Sequence, residues 1–332
     1  MSFPDIIYYE PESMNYELGK LLHDKYASSK WIEIQSHNDI PELRSASNSA
    51  FPQMKQYLVI GVRKTHKYVE NHKVSDYLVP YTSSGCVASC LYCYLVCNYN
   101  KCAYLRLFVN REQMFNKILE TQRKSSRSLC FEIGSNSDLV LENTITGNLV
   151  WTIERFAESN NGNLTFPTKF SMVEPLLNIN HRGKVIFRMS VNPQEIIQKI
   201  ELGTSPLNNR IHAINSMCDA GYPVGLLIAP IIITENWKKS YAELFSMLSD
   251  KLSESVKNKA FIEIIFMTYS YVQNAINTEA YPDSPQLYSR EQMIGRGRGK
   301  YCYRQELRND GEVFIREELS KKLPNMKILY IV

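Results

Sequence analysis

The stretch LNNRIHAINSMCDAGYPVGLLIAP, residues 207–230, contains the pattern that decides the fold. Its first half is helix-like, and Gly221 then ends the helix, as glycine often does at helix C-termini. A continuous apolar run follows at once, without the alternation expected of a strand that has one solvated face. A helix that leads directly into such a strand predicts a parallel sheet covered by helices.

The same alternation repeats along most of the chain. Apolar, β-branched runs predict strands at residues 57–63, 129–134, 164–170, 185–191, 222–230 and 261–270. Helix-like stretches lie at 111–124, 149–159, 193–202, 207–221 and 235–254. These repeats predict an α/β fold whose functional side chains gather at the carboxyl ends of the strands. After about residue 270 the alternation stops, and the basic segment GRGRGKYCYR (295–304) precedes a helix pattern and a final strand pattern, KILYIV.

Length and charge exclude few classes of protein. A chain of 332 residues can form one large α/β domain with a small appendage, or two medium domains. The net charge of +4 permits nucleic-acid binding without requiring it. The start, MSFPDIIYYEPESM, has no apolar signal segment, and the longest apolar run, 224–233, is too short to span a bilayer. We therefore expect a cytoplasmic protein that does not associate with membranes, whose cysteines are metal ligands or free thiols.

The segment GCVASCLYCYLVC (85–97) places Cys86, Cys90 and Cys93 at the spacing C-x3-C-x2-C. Three thiolates on a short loop of small residues can bind three irons of a 4Fe–4S cluster, which leaves the fourth iron open for a small molecule. The alternatives are a zinc site completed by Cys97 or Cys102, or three incidental thiols. Zinc sites favour paired C-x2-C units, and only one such unit is present, so the spacing favours the cluster.

This spacing is the signature of radical S-adenosylmethionine enzymes, and the chain resembles the spore photoproduct lyase family from end to end. The resemblance lies in IIYYEPESMNYELGKLLHDKY, GCVASCLYCY, YLRLFVN, SDLVLENTITGNL, FRMSVNP, LLIAP, ENWKKSYAELF and GKYCYR. It implies a partial (β/α)6, TIM-like barrel. We expect an N-terminal extension at 1–75, the barrel at 76–270, and a small C-terminal β-hairpin and helix region at 271–332.

The resemblance also implies an activity. The family reverses the spore photoproduct, a methylene-bridged thymine dimer formed by ultraviolet light, to two thymines through a 5′-deoxyadenosyl radical. Cys86, Cys90 and Cys93 would hold the 4Fe–4S cluster, and its open iron would bind S-adenosylmethionine. The expected partners are DNA that contains a thymine lesion and an electron donor such as a ferredoxin or flavodoxin. We expect a monomer, because the family's site is complete in one chain.

Carried over by motif, five positions are expected to contact S-adenosylmethionine: Ser137, Asp138, Lys169, Ser190 and Ala229. All lie at or just after the ends of predicted strands. A lysine can pair with the methionyl carboxylate, and hydroxyls can bond to ribose or carboxylate oxygens. Taken singly and without the resemblance, the two serines are better explained as helix caps and the lysine as a solvated strand end. Taken together, the five positions favour a binding site.

The chain departs from the family at the hydrogen donor. Where the family has ACTSD, with a cysteine that returns the hydrogen atom, this chain has GSNSD, so the position is Ser135. An O–H bond is much stronger than an S–H bond, and serine cannot take over the role. Tyr92 and Tyr94 resemble the family's tyrosine pair in the hydrogen-transfer relay. Cys97 and Cys130 are alternative thiols; Cys97 is favoured, because an extended strand puts Cys130 roughly 16 Å from Ser135.

A second departure lies in the basic segment. The family uses a hairpin with an arginine and a tyrosine as a wedge where the lesion leaves the duplex. Here Arg296, Arg298, Lys300 and Tyr301 are candidate DNA contacts, but a glycine replaces the tyrosine expected after the arginine. The basic density favours phosphate contact, and a flexible basic loop without a partner is the alternative.

Three hypotheses follow. The first is a lyase that repairs the spore photoproduct. The second is a radical enzyme of the same family with another substrate, and the serine and glycine substitutions motivate it. The third is a non-catalytic iron–sulfur or zinc protein that binds DNA.

Overall fold

The computed structural model describes residues 4–98, 104–159 and 161–332. Its strands are β1 (Ile6–Tyr9), β2 (Lys30–Glu33), β3 (Tyr57–Gly61), β4 (Val69–Glu70), β5 (Tyr77–Val79), β6 (Ser83–Ser84), β7 (Ser89–Cys90), β8 (Leu105–Phe108), β9 (Cys130–Ile133), β10 (Asn163–Thr168), β11 (Val185–Ser190), β12 (Glu201–Leu202), β13 (Val224–Ile231), β14 (Phe261–Phe266), β15 (Thr268–Ser270), β16 (Met293–Gly297), β17 (Lys300–Tyr303) and β18 (Lys327–Ile331).

Its α-helices are α1 (Glu17–Lys25), α2 (Pro41–Arg44), α3 (Phe51–Met54), α4 (Leu95–Asn98), α5 (Arg111–Arg123), α6 (Leu139–Thr146), α7 (Asn148–Ala157), α8 (Gln194–Lys199), α9 (Leu207–Asp219), α10 (Trp237–Lys251), α11 (Glu254–Lys259), α12 (Tyr271–Ala280) and α13 (Gln305–Lys322). None of these helices is long and apolar enough to cross a membrane.

The main sheet has the order β18-β14-β13-β11-β10-β9-β5-β4. From β5 to β18 every neighbouring pair is parallel, and the strands follow one another in chain order. The predicted α/β class is thereby confirmed. Central strands are buried on both faces, which explains their continuous apolar sequences; Phe166 and Phe187, on adjacent strands, are fully buried with ring centroids 5.8 Å apart.

A second sheet forms from the N-terminal segment and the flanks of the cysteine loop. Its order is β2-β1-β3-β8-β6, and all pairs are parallel except β6 with β8. Strands on both sides of residue 75 therefore share one sheet. The division into 1–75, 76–270 and 271–332 stays a prediction.

The C-terminal segment forms a three-stranded antiparallel sheet of order β15-β17-β16, followed by α13 and by β18 at the edge of the main sheet. Two elements differ from the sequence prediction. The strand expected at 261–270 is two strands, because β14 ends at Phe266 and β15 pairs with the hairpin instead. The helix expected at 193–202 ends at Lys199, because Glu201 and Leu202 pair with the cysteine loop.

Candidate active site

A cavity of about 560 Å³ opens at the carboxyl ends of the main-sheet strands. This volume lies within the range of small-molecule sites. The sequence-predicted residues that line it are Cys86, Cys90, Tyr92, Cys93, Tyr94, Ser135, Ser137, Asp138, Lys169, Ser190 and Ala229. They come from the cysteine loop and from the ends of four strands, so the fold brings together groups that are far apart in sequence. The side chain of Cys97 lies outside the described residues.

The cysteine loop is fixed at its start and in its middle. Gly85 has φ of +80°, and a Cβ atom there would overlap the Tyr104 carbonyl oxygen, so only glycine fits. In the middle, β7 pairs with β12, and the Leu91 N–H donates to the Ile200 carbonyl at 2.9 Å. The loop is therefore held in place by backbone contacts on two elements.

The three thiols fit a cluster better than a single ion. Within the described ranges, no three or more His, Cys, Asp or Glu side chains are grouped so that they could hold one metal ion. Yet Cys86, Cys90 and Cys93 all face the same cavity. A cubane needs this arrangement, because each thiolate binds a different iron, whereas zinc needs four ligands around one point. The Ala88 N–H also donates to the Cys86 Sγ at 3.4 Å, a contact that favours a thiolate.

Burial sets the protonation of two of these thiols, those of Cys86 and Cys90. It raises the pKa of Cys86 to about 12, although the nearby Lys55 ammonium opposes the rise. Burial likewise raises the pKa of Cys90 well above its ordinary value, and the Glu201 carboxylate adds to this. Metal binding must therefore displace protons from the thiols. Lys55, which is buried and donates to the Cys86 carbonyl at 2.9 Å, supplies positive charge beside the loop.

Asp138 organises two strand ends. Its carboxylate caps α6 by accepting from the Val140 and Leu141 N–H groups, each at 3.2 Å. It also accepts from the Thr168 hydroxyl at 2.8 Å and from the Lys169 N–H at 2.9 Å. Burial raises its pKa, against the hydrogen bonds that lower it. The helix cap that sequence alone offered as an explanation for Ser137 is thus made by its neighbour, Asp138.

The Ser137 hydroxyl is held in place by a chain of hydrogen bonds. It lies 2.6 Å from the Ser83 hydroxyl, which in turn lies 2.5 Å from the Glu142 carboxylate. Glu142 is buried and also accepts from the Thr82 hydroxyl at 2.7 Å. Sequence reasoning missed Ser83 and Glu142. Only their place next to two recognised motifs could have drawn attention to them.

Lys169 joins the ends of three adjacent strands. Its ammonium donates to the Ser190 hydroxyl at 2.5 Å and to the Ala229 carbonyl at 2.9 Å. It also lies 3.4 Å from Glu201. Three of the predicted cofactor contacts therefore converge on one point. The positive charge there suits a carboxylate ligand.

Glu201 and Arg210 form a fully buried ion pair behind this point. Both side chains are 0% exposed, and the Arg210 guanidinium lies 2.7 Å from the Glu201 carboxylate. The Tyr92 hydroxyl donates to the same carboxylate, and the Asn192 amide donates to it at 2.9 Å. Burial opposes ionisation of Glu201, but the charges of Lys169 and Arg210 lower its pKa to about 2. Sequence reasoning missed this pair, because its members lie on different elements and match no motif.

A second buried network lies deeper in the barrel. Arg188, two residues before Ser190, bonds to Glu132 at 2.5 Å and to Glu263 at 3.1 Å. The Tyr330 hydroxyl donates to Glu263 at 2.5 Å. Arg188, Glu132 and Tyr330 line the cavity. They give its inner end a charged but internally paired surface, which was also missed from sequence.

The region of the expected hydrogen donor contains hydroxyls. The Ser135 Oγ is buried and has no hydrogen-bond partner within the described residues. The Tyr94 hydroxyl donates to the Ser135 carbonyl, and the Tyr94 side chain is 54% exposed. Cys130 lies at the other end of β9 and is not among the residues that line the cavity.

The basic segment forms the β16–β17 hairpin next to the cavity mouth. Thr268 of β15 lines the cavity and pairs directly with Cys302 of β17. The side chains of Arg296, Arg298 and Lys300 are exposed. Tyr301 is half-buried, and its ring packs on Tyr288 with centroids 4.6 Å apart. These four residues lie beside the cavity and do not line it.

A parallel sheet with a cysteine loop, and with a cavity at its strand ends that a few polar side chains enter, defines a cofactor-dependent enzyme of the partial-barrel class. The sequence matches the family described as spore photoproduct lyase over residues 2–332. The chain therefore belongs to the spore photoproduct lyase family.

Relatives and solved structures agree. The chain is 34% identical to spore photoproduct lyase of Bacillus subtilis (strain 168) and 30% identical to that of Geobacillus sp. (strain Y412MC61), with 98% of each chain covered in both cases. It is similar to a variant of spore photoproduct lyase with bound AdoMet and dinucleoside spore photoproduct, with a TM-score of 0.92, 29% identity and 100% of both chains covered. Another such structure, complexed with dinucleoside spore photoproduct, has a TM-score of 0.91, with 29% identity and 99% coverage. The predicted TIM-like partial barrel is confirmed.

Proposed function

We propose that this protein is a DNA-repair lyase that uses S-adenosylmethionine and a 4Fe–4S cluster to convert the spore photoproduct to two thymines. One observation carries the proposal: the three cysteines and the five expected cofactor contacts all face a single cavity. Full-length relatives of this chain are spore photoproduct lyases, and a similar structure binds both AdoMet and the dinucleoside lesion.

Cys86, Cys90 and Cys93 hold the cluster in this proposal. When bound, the cluster supplies one electron to the sulfonium of S-adenosylmethionine and so starts radical chemistry. Lys169 binds the methionyl carboxylate of the cofactor, because its ammonium already points at the junction of three strand ends. The hydroxyls of Ser137 and Ser190 bond to carboxylate or ribose oxygens, and Ala229 lies beside the adenosine.

The hydroxyl groups of Tyr92 and Tyr94 are each held in place by a hydrogen bond. The Tyr92 hydroxyl is held by Glu201, and the Tyr94 hydroxyl by the Ser135 carbonyl. Both rings line the cavity, which supports their role as the relay pair. Among the described residues that line the cavity, the only thiols are the three proposed ligands. Cys97, whose side chain lies outside the described residues, stays the thiol donor that the sequence favours.

The phosphates of the DNA substrate are bound by the hairpin, through Arg296, Arg298 and Lys300, whose exposed side chains lie beside the cavity mouth. A ferredoxin or flavodoxin supplies the electron, and one chain suffices for the reaction.

The experiment that tests the function is turnover by the reconstituted enzyme. Protein prepared without oxygen is analysed for iron, zinc and sulfide, then reduced and incubated with S-adenosylmethionine and an oligonucleotide that carries one spore photoproduct. We expect iron and sulfide, and restored thymine. Zinc in place of iron would overturn the proposal in favour of a non-catalytic protein.

The second candidate is a radical enzyme of the same family with another substrate. The serine at position 135, whose Oγ has no partner in the described part of the chain, favours this reading. Formation of 5′-deoxyadenosine without restored thymine would support it over repair.

The variant Ser135→Cys separates a missing donor from a different substrate. We expect it to raise the yield of thymine and to lower abortive by-products, because an S–H bond is weaker than an O–H bond. Product analysis by chromatography checks this. Ser135→Ala is the matched control, and its yield of thymine should not rise. Equal product profiles for Ser135→Cys and the wild type would contradict the expectation.

A further inference from the structure

An exposed tyrosine lies beside the tip of the β16–β17 hairpin. The Tyr271 side chain is 64% exposed, and in the described part of the chain its ring packs on no other aromatic ring. Its N–H donates to the Gly299 carbonyl at 2.8 Å, so the tip and Tyr271 are in direct contact. An aromatic ring that is exposed beside a basic segment can serve as a stacking contact for a nucleic acid.

Tyr271 is anchored at the start of a helix. It is the first residue of α12, and Ser270 caps this helix by accepting from the Gln273 N–H at 3.0 Å. The other end of the same segment is Thr268, which lines the cavity. Tyr271 therefore follows Thr268, a residue of the cavity mouth, by only three positions in the chain.

The sheet beside Tyr271 has one face that continues from the cavity. Thr268 pairs with Cys302, which pairs with Ile294, so these three side chains share a face. Lys300 lies on the same face, two residues before Cys302, and Ile294 is 52% exposed. The face that leads away from the mouth thus presents an apolar side chain and a cation, and Tyr271 follows directly after Ser270, which pairs with Lys300.

The hairpin tip itself carries no ring. Gly297 has φ of +86° and Gly299 has φ of +68°, a conformation in which a tyrosine would be strained. Residues 290–304 contain five basic residues and one acid. This charge selects a polyanion, and the exposed ring next to it can stack on a base.

We propose that Tyr271 stacks on duplex DNA at the place that the lesion leaves when it turns out of the helix to enter the cavity. This inference rests on the proposed function. A lesion inside a duplex cannot reach a recessed cavity, so it must be extruded, and the gap is then filled by a side chain that can stack. Arg296, Arg298 and Lys300 bind the flanking phosphates while the ring occupies the gap.

Two substrates of the reconstituted enzyme test this role. A dinucleoside spore photoproduct needs no extrusion, whereas a duplex with one lesion does. We expect Tyr271→Ala to lower the ratio of kcat/KM on the duplex to kcat/KM on the dinucleoside by roughly tenfold, the usual scale for loss of one base-stacking ring. Tyr271→Phe should restore the ratio, because it keeps the ring. Val272→Ala, at the next residue of α12, should leave the ratio at the wild-type value.

A binding measurement does not depend on turnover. The fluorescence of 2-aminopurine placed opposite the lesion rises when the stack opens, and Tyr271→Ala should reduce this rise. An unchanged ratio together with an unchanged fluorescence rise would overturn the proposal, as would an equal loss on both substrates. Failure of the proposed function is a different result: the wild type would then repair neither substrate, while the fluorescence assay would still report on Tyr271.

Discussion

The buried ion pair behind the cavity and the basic side chains of the β16–β17 hairpin are held in opposite ways. In the buried pair, Glu201 and Arg210 are 0% exposed and bond to each other. On the hairpin, Arg296, Arg298 and Lys300 are exposed and make no ion pair with any described residue. Folding alone pairs the charges behind the cavity, whereas those of the hairpin are exposed, as the proposed contact with DNA phosphates requires. The difference matches the proposed division between residues that support the site and residues that bind the substrate.

The largest effect is expected at the cavity, at a proposed cluster ligand. Cys90→Ala should lose bound iron and bring S-adenosylmethionine cleavage to background, because a cubane held by two thiolates is not retained. Iron analysis and chromatography of 5′-deoxyadenosine measure this. The matched control is Cys218→Ala, since Cys218 lies on α9 and is not among the cavity-lining residues. Wild-type iron content in Cys90→Ala would show that this thiol is not a ligand.

The next effect is on stability. Glu201→Gln leaves Arg210 buried beside a neutral side chain, and we expect the free energy of unfolding at pH 7 to fall by about 3 kcal/mol. Urea unfolding followed by circular dichroism measures it. Glu243→Gln, which removes an exposed pair with Lys239, should cost less than about 1 kcal/mol. Equal losses in the two variants would contradict the difference between buried and exposed charges.

The difference in unfolding free energy between the wild type and Glu201→Gln should depend on pH. The pKa of Glu201 is about 2 in the fold, against an ordinary value of 4.5. A carboxyl whose pKa is lowered by folding stabilises the fold above its unfolded pKa, and this contribution is lost as pH falls toward the folded value. The gap between wild type and Glu201→Gln should therefore be smaller at pH 3.5 than at pH 6. A constant gap would show that the charge of Glu201 does not produce it.

The smallest effect is expected at the hairpin. Arg296→Ala should weaken binding to duplex DNA by a few-fold and reduce the slope of log affinity against log salt by about 1, because one phosphate contact is lost. Fluorescence anisotropy at several salt concentrations measures both quantities. Arg316→Ala, on α13, removes an exposed arginine away from the hairpin and should change neither. A full salt slope in Arg296→Ala would exclude this phosphate contact.

The elements of the main sheet were well predicted from the sequence, because the strands can be recognised locally by their continuous apolar runs. It did not predict the pairing of β7 with β12, since two-residue strands have no periodicity to detect. It also joined β14 and β15, because Met267 and Thr268 continue the β-branched and apolar pattern where the chain turns into another sheet. Local composition carries no information about such a turn.

For the site, the cysteine spacing and the motifs at strand ends predicted which residues face the cavity. The residues that hold them were not predictable in the same way. Glu201 becomes important only because folding places Tyr92, Lys169 and Arg210 around it. Tyr271 lies in no recognised motif, and its exposure is a property of the folded surface.

The cysteine loop has a consequence for any attempt to produce the barrel alone. Its flanks, β6 and β8, belong to the N-terminal sheet, and its middle is paired to β12. A fragment that started at residue 76 would remove β3 and expose the unpaired backbone of β8, an edge prone to self-association. The segment before residue 76 is thus a structural support of the cysteine loop, and its excision would remove the backbone pairing that holds one flank of the loop.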